Sequence, residues 1–284
     1  MSRIAYVDGV YRPHREAAVH IEDRGYQFAD GVYEVFAVRD GKMADAGLHL
    51  RRLRRSLAEL RIEGALDDGP LKIVMREVLR RNGVVNGIVY LQITRGVAPR
   101  DHAFPKAARP VVVVTARQTR PTNAKLAEDG ISVITIPDIR WQRCDIKTVG
   151  LTANVLGKQQ AREAGVFEAW MVDGDGRVTE GTSTNAWIVT ADNRVVTRLA
   201  DNAILNGVTR QALVEIIRRE GCTFEERAFT VDEAMTAREA FLTSATSFLL
   251  PIVAIDGKPV ANGAPGLMSQ RLREAYLAHI PESA

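Results

Sequence analysis

Cysteine is scarce in this chain: Cys144 and Cys222 are the two among 284 residues, and no CxxC spacing joins them. That excludes a disulfide scaffold and a cysteine-rich metal site, and it favours a reducing compartment. The opening stretch MSRIAYVDGV carries no apolar segment of the kind a secretory leader needs, so the expected location is cytoplasmic. No run approaches the ~20 apolar residues that cross a bilayer, which argues against a membrane role. HExxH, a Walker loop, GxGxxG after a strand and GxSxG are all missing, and with them the usual signatures of zinc proteolysis, nucleotide-phosphate binding and the hydrolase elbow. The five histidines are scattered, with His14 and His20 in an N-terminal hairpin region, and no metal site is expected. A formal net charge of +3 is too small to imply nucleic acid. Lysine is rare: only seven of the 38 basic residues are lysines.

What is present is the composition of a globular protein, 46% apolar and 26% charged, with a length that suggests two domains. The densest basic run, RRLRR at 51–55, sits in a helical pattern. Leu50, Leu53, Leu57 and Leu60 recur at three- and four-residue steps and form a buried stripe, so Arg51, Arg54 and Arg55 point to solvent while Arg52 falls at the stripe's border. Hairpins are predicted through Asp8-Gly9 and Asp40-Gly41. A second helix starts at Pro70 and stops at Gly83. GIVYLQITRG and PVVVVTA read as strands. The polar stretch RQTRPTNA separates two strand-rich halves, giving an N-terminal domain over 1–117, a linker over 118–124 and a C-terminal domain over 125–284. Further strands are expected at GISVITIP, FEAWMVDG, NAWIVTA and EAFLTSA, with helices at TANVLGKQQAREAG, at GVTRQALVEIIRREG and near the C-terminus. Two-residue DG turns join antiparallel neighbours, so the fold class is α+β and not a doubly wound parallel sheet.

Four stretches have residues suited to chemistry. Lys147 follows IRWQRCDI, whose Ile139, Trp141 and Ile146 suggest partial burial, and a partly desolvated amine is a competent nucleophile toward an aldehyde. A solvated surface lysine remains the other reading. Glu180 begins a small polar turn, TEGTSTN, where it either bonds the Thr182, Ser183 and Thr184 amides or holds a proton on a heterocyclic nitrogen. Asn206 is placed to cap the helix over GVTRQALVEII, whose first amides form either an ordinary capped end or a phosphate site. Arg100 and His102 stand two apart on the proline-flanked loop TRGVAPRDHAFP, either in solvent or as donors for a carboxylate.

Taken in order, with EDRGYQFADGVYEVF ahead of them and RCDIKT, NVLGKQQA, TEGTSTN, ILNGVTR and TSATS among them, these stretches resemble the D-amino acid aminotransferases. These are pyridoxal-phosphate enzymes of fold type IV, in the class IV aminotransferase family. The likeness runs from VDGVY to LLPIVAIDGKPV, and the TRGVAPRDHAFP loop points to the D-specific subgroup. It implies a smaller N-terminal α/β domain and a larger C-terminal mixed-sheet domain, with pyridoxal 5'-phosphate between them. By resemblance, Lys147 forms the internal aldimine and shuttles the proton, and Glu180 pairs with the pyridine nitrogen. Arg52 and the amides of Val208 and Thr209 cradle the phosphate, and Ser183, Thr184, Ser244 and Thr246 lie around ring and phosphate. Tyr33, Arg100 and His102 trap the substrate α-carboxylate, the last two from the partner subunit, so a homodimer is implied. The expected reaction is a ping-pong exchange of D-alanine and 2-oxoglutarate for pyruvate and D-glutamate. A branched-chain L-amino acid aminotransferase or an aminodeoxychorismate lyase of the same fold is the alternative.

Overall fold

The computed structural model describes residues 3–119 and 123–283. Positions 120–122 of the expected linker lie outside the described residues. Two compact units are present: one built from the residues up to 119 with the segment Ile146–Gly150, the other from 123–145 and Leu151–Glu282.

The first unit contains β1 (Ile4–Val7), β2 (Val10–Pro13), α1 (Arg24–Phe28), β3 (Gly31–Arg39), β4 (Lys42–Met43), α2 (Ala46–Glu59), α3 (Asp68–Asn82), β5 (Gly87–Thr94) and β6 (Val111–Gln118). Both expected hairpins form. Asp8-Gly9 and Asp40-Gly41 turn with positive φ at all four residues, the geometry that Asp and Gly tolerate and that matches strand twist. The six strands run in the order β2-β1-β6-β5-β3-β4, every pair antiparallel. Alternation sends Val89, Leu91 and Ile93 of β5 to one face, where they meet Leu50, Leu53 and Leu57 of α2 and Leu71, Met75 and Val78 of α3. Leu60, the last of the expected stripe, is only half-buried because α2 ends at Glu59. Helix α3 begins two residues before Pro70 and closes at Gly83 in the left-handed region, φ 60°.

Strand β4 is short and pairs only with Val38 and Arg39, so the Gly31–Tyr33 stretch of the same β3 edge is left for another partner. The segment Ile146–Gly150 takes it. Tyr33 N donates to Lys147 O (3.1 Å), Val149 N donates to Gly31 O (3.1 Å), and Val32 bridges Thr148 in antiparallel sense. Unpaired strand amides need partners, and this edge supplies them to the segment carrying Lys147.

The second unit contains α4 (Asn123–Asp129), β7 (Ile131–Pro137), α5 (Thr152–Glu163), β8 (Glu168–Val172), β9 (Val178–Gly181), β10 (Asn185–Val189), β11 (Val195–Thr197), α6 (Val208–Arg219), β12 (Phe224–Glu226), α7 (Val231–Thr236), β13 (Glu239–Ser244), β14 (Phe248–Ile255), β15 (Lys258–Pro259) and α8 (Leu267–Ser283). Its sheet runs β12-β11-β10-β13-β14-β7-β8-β9, with β15 on β14. The pairs β11/β12, β14/β7 and β7/β8 are parallel and the rest antiparallel, a mixed sheet. Trp170, Trp187 and Phe241 are wholly buried, and Trp187 stacks on Phe241 at 5.5 Å while its indole N–H donates to Thr243 Oγ1 (2.9 Å). Leu213, Ile216 and Ile217 form the buried stripe of α6.

Candidate active site

Lys147 is half-buried, and its neighbours correct part of the reasoning that singled it out. Ile146 is buried, but Ile139 and Trp141 are exposed, 66% and 49%. What shields Lys147 is the β3 edge. Its amine stands 4.2 Å from the centre of the Tyr33 ring, a cation–π contact, and its backbone N donates to Ser56 Oγ of α2 (3.3 Å). Tyr33 in turn stacks on Tyr90 of β5 at 5.7 Å. Burial, with the Tyr33 hydroxyl nearby, pushes the Tyr90 phenol up to about 12, so it stays protonated and donates to Gln92 Oε1 (2.7 Å). Ser56 and Tyr90 were not singled out from the sequence, since neither stands in a motif.

Arg52, expected at the border of the stripe, is buried, and a fully buried Glu34 holds it. Nε donates to Oε1 (2.8 Å) and Nη2 to Oε2 (2.7 Å), and His49 Nδ1 lies 2.6 Å from Oε2. An ionised carboxylate only accepts, so Nδ1 carries the proton. Burial pushes the Glu34 carboxyl up, but the Arg52 guanidinium and the His49 bond outweigh it and bring it down to about 2. Burial drives the His49 pKa below its ordinary value, against the pull of Glu34. The phase of β3 could have revealed Glu34: it shares a face with Val32 and Phe36, so its carboxylate had to enter the core and needed buried partners.

Arg100 and His102 are exposed on the loop between β5 and β6. Both rest on Phe28, the Arg100 guanidinium 4.5 Å from the ring centre and the His102 imidazole 5.5 Å away. Tyr33, the third residue of the expected carboxylate trap, contacts Lys147 and Tyr90 through its ring.

In the second unit, Glu180 is not at the start of a turn but inside β9, and it is buried. Asn185 Nδ2 donates to Oε2 (3.0 Å), Leu205 N to Oε1 (3.1 Å), and Arg140 forms an ion pair with it. Arg140 is itself fixed by Asp138, through Nε (2.9 Å) and Nη2 (2.7 Å), and by Ala203 O (3.0 Å). No sequence pattern marked it. Burial pushes the nearby Cys144 thiol up to about 11, against the pull of Arg140, so it is inert at neutral pH, as a structural thiol should be. The amide of Thr182, one of three that Glu180 could have bonded, donates to Ala169 O (3.2 Å), and the hydroxyls of the same stretch meet another carboxylate: Thr182 Oγ1 (2.5 Å), Ser183 Oγ (3.1 Å) and Thr184 Oγ1 (3.4 Å) donate to the fully buried Glu168. Glu168 opens an otherwise apolar strand, and only the fold brings it to that turn.

Helix α6 starts at Val208 with Gly207 as its N-cap, not Asn206, whose Oδ1 accepts from Arg210 Nη1 (3.1 Å). No side chain caps it. A Cβ on Gly207 would come within 2.1 Å of Asn185 Oδ1, so glycine is needed for this end to approach the residue that holds Glu180. The buried hydroxyl of Thr209 has no hydrogen-bond partner among the described residues. At the end of β13, Ser244 Oγ accepts from Ser247 N (3.0 Å), in the turn that also holds Thr246. No cluster of three or more His, Cys, Asp or Glu suited to a metal occurs among the described residues, and none of their helices is long and apolar enough to cross a membrane.

Comparison with known proteins puts these residues in a family context. Residues 31–255 match the amino-transferase class IV family. The chain is 41% identical over 261 residues to a D-alanine aminotransferase of Bacillus licheniformis, covering 92% of this chain and 91% of that one. It is 38% identical over 277 residues to a D-alanine aminotransferase of Staphylococcus haemolyticus, covering 97% of each. Among solved structures, the branched-chain amino acid aminotransferase of Escherichia coli has a TM-score of 0.88 over 99% of this chain and 95% of that one, at 20% identity, a likeness of fold.

Proposed function

The chain belongs to the class IV aminotransferases and has their α+β, two-domain fold type IV architecture, and on that premise we propose that it transfers the amino group of D-alanine to 2-oxoglutarate, giving pyruvate and D-glutamate. The observation that carries this reading is the nearly full-length likeness to D-alanine aminotransferases. In the same reading the domains are 1–117 and 125–284, the protein is a cytoplasmic homodimer, and pyridoxal 5'-phosphate is its cofactor.

Two features of the structure suit that cofactor. The unpartnered hydroxyl of Thr209 at a helix start that no side chain caps is a donor set for a phosphate dianion. The buried Glu180, held by three donors, is a fixed anion suited to a protonated ring nitrogen. When bound, the cofactor supplies an aldehyde that captures amines and a cationic ring that accepts electrons from Cα. By family likeness, Lys147 would hold the aldehyde, Glu180 the ring nitrogen, and Arg52 and the amides of Val208 and Thr209 the phosphate. Ser183, Thr184, Ser244 and Thr246 would flank ring and phosphate. Glu34 already balances the charge of Arg52, so Arg52 would contribute a fixed donor more than net charge, leaving the helix end to compensate the dianion.

Tyr33 and, from the partner subunit, Arg100 and His102 bind the substrate α-carboxylate, a planar anion that an arginine fork matches. With the carboxylate so anchored, the Cα hydrogen of a D-substrate faces Lys147. The Lys147 amine would then serve as the base that takes the Cα proton and holds it for return. An L-substrate anchored alike turns its hydrogen aside. The test is a half-reaction with D-alanine and L-alanine in parallel on the cofactor-loaded protein, following the visible absorbance. Loss of the aldehyde band with D-alanine is expected. Reaction with L-leucine and none with D-alanine would instead favour the branched-chain reading.

A further inference from the structure

The loop that carries Arg100 and His102 joins β5 to β6 without regular structure, and both side chains are exposed. A carboxylate trap on such a loop needs its backbone fixed, because ordering it only when substrate arrives lowers affinity. The fixing element is Arg24, at the first turn of α1. Its side chain is 4% exposed. Nη1 donates to the carbonyls of Asp101 (2.6 Å) and Ala103 (3.3 Å), and Nη2 reaches that of His102 (3.5 Å). Its own backbone N donates to Gly96 O (2.9 Å), at the beginning of the loop.

The guanidinium is held from behind by Asp30, which accepts from Arg24 Nε (2.8 Å) and from Arg95 Nε (2.7 Å) and Nη2 (2.9 Å). Arg95 in turn stacks on Phe104, 3.7 Å from its ring centre, at the far side of the same loop. Phe28, at the other end of α1, is the surface on which Arg24, Arg100 and His102 all rest. One carboxylate thus anchors two guanidiniums, one gripping the carbonyls of residues 101–103 and the other the ring of residue 104.

We propose that Arg24, pinned by Asp30, is a positioning residue for substrate binding: it clamps the backbone of Asp101–His102–Ala103 so that Arg100 and His102 are presented to the carboxylate in a fixed arrangement. This rests on the reading of Arg100 and His102 as carboxylate donors. Arg24 itself does not touch the substrate. A merely structural arginine would move stability or the whole of catalysis; a positioning one moves KM for the carboxylate-bearing substrate and the mobility of one loop.

The experiment compares Arg24→Ala, Arg24→Lys and Arg100→Ala in the cofactor-loaded protein, measuring kcat and KM for D-alanine together with hydrogen exchange of the amides of residues 100–104 without substrate. Arg24→Ala is expected to raise KM about tenfold or more, with kcat changed less than about threefold, and to speed exchange of the loop. Arg24→Lys keeps the Asp30 pair but loses the fork, and is expected to give a smaller rise, about threefold, with intermediate exchange. Should Arg24→Ala not fold, the lysine variant decides the matter by the same two readouts. If Arg100→Ala raises KM while both Arg24 variants keep wild-type KM and exchange, the positioning role is wrong and the trap stands. If Arg100→Ala leaves KM unchanged, the trap reading falls and the clamp's role with it.

Discussion

Glu34 shows what one buried charge does to a fold. Its carboxyl sits at about 2 in the folded protein against an ordinary 4.5, because Arg52 and His49 overcome the penalty of burial. A carboxyl lowered on folding stabilises above its unfolded value and loses that contribution as pH falls toward its folded one, here from about 4.5 to 2. The difference corresponds to about 3 kcal/mol. His49 acts in the same direction from higher pH: it is buried with a lowered pKa, so the unfolded chain binds its proton more readily and stability declines below about 6.5. Urea denaturation across this range is expected to show stability falling with acid. Glu34→Gln should be weaker at pH 7 by roughly 3 kcal/mol, because the buried Arg52 loses its carboxylate, yet flatter between pH 4.5 and 3. A Glu34→Gln profile as steep as wild type would place the acid sensitivity elsewhere.

At the scale of elements, two ends of regular structure do the positioning. The short β4 leaves part of the β3 edge open, and the main chain around Lys147 completes it, so the lysine owes its place to backbone pairing rather than to its neighbours in sequence. The start of α6 has no capping side chain and keeps a buried hydroxyl, that of Thr209, without a partner among the described residues. An unsatisfied buried hydroxyl costs about 1–3 kcal/mol in the empty protein, and a phosphate would relieve it. Thr209→Val is therefore expected to leave the melting temperature of cofactor-free protein unchanged or raise it, while weakening pyridoxal 5'-phosphate binding roughly fivefold or more, as read by equilibrium titration. A variant with weakened apo stability and normal cofactor affinity would show that the hydroxyl serves the fold alone.

At the scale of the whole molecule, the proposed homodimer makes a sharp prediction. If Arg100 serves the partner's Lys147, a mixture of Lys147→Ala and Arg100→Ala proteins, unfolded together and reassembled, contains mixed dimers with one intact site. Activity is then expected to reappear in a mixture of two impaired parents, up to about one-quarter of the wild-type level if mixed dimers make up half and one of their two sites works. Each site drawing both residues from one chain would give no recovery. The family was legible in the sequence because its chemistry is bound to short motifs, and most elements were legible because period-3.6 stripes and DG turns are local: Leu50, Leu53 and Leu57, and the Asp8-Gly9 and Asp40-Gly41 hairpins, sit where their spacing put them. Strand β9 was hidden by the polar residues around Glu180, and Asn206 lost the cap to Gly207 because Arg210 claims its side chain. By itself, then, the sequence determined which residue types are available and which local elements form. Only the tertiary structure decided their partners, Glu34 for Arg52, Arg140 for Glu180, Glu168 for the three hydroxyls and Arg24 for the loop, because a charge or hydroxyl taken out of water must find a partner wherever the chain brings one, however distant in sequence.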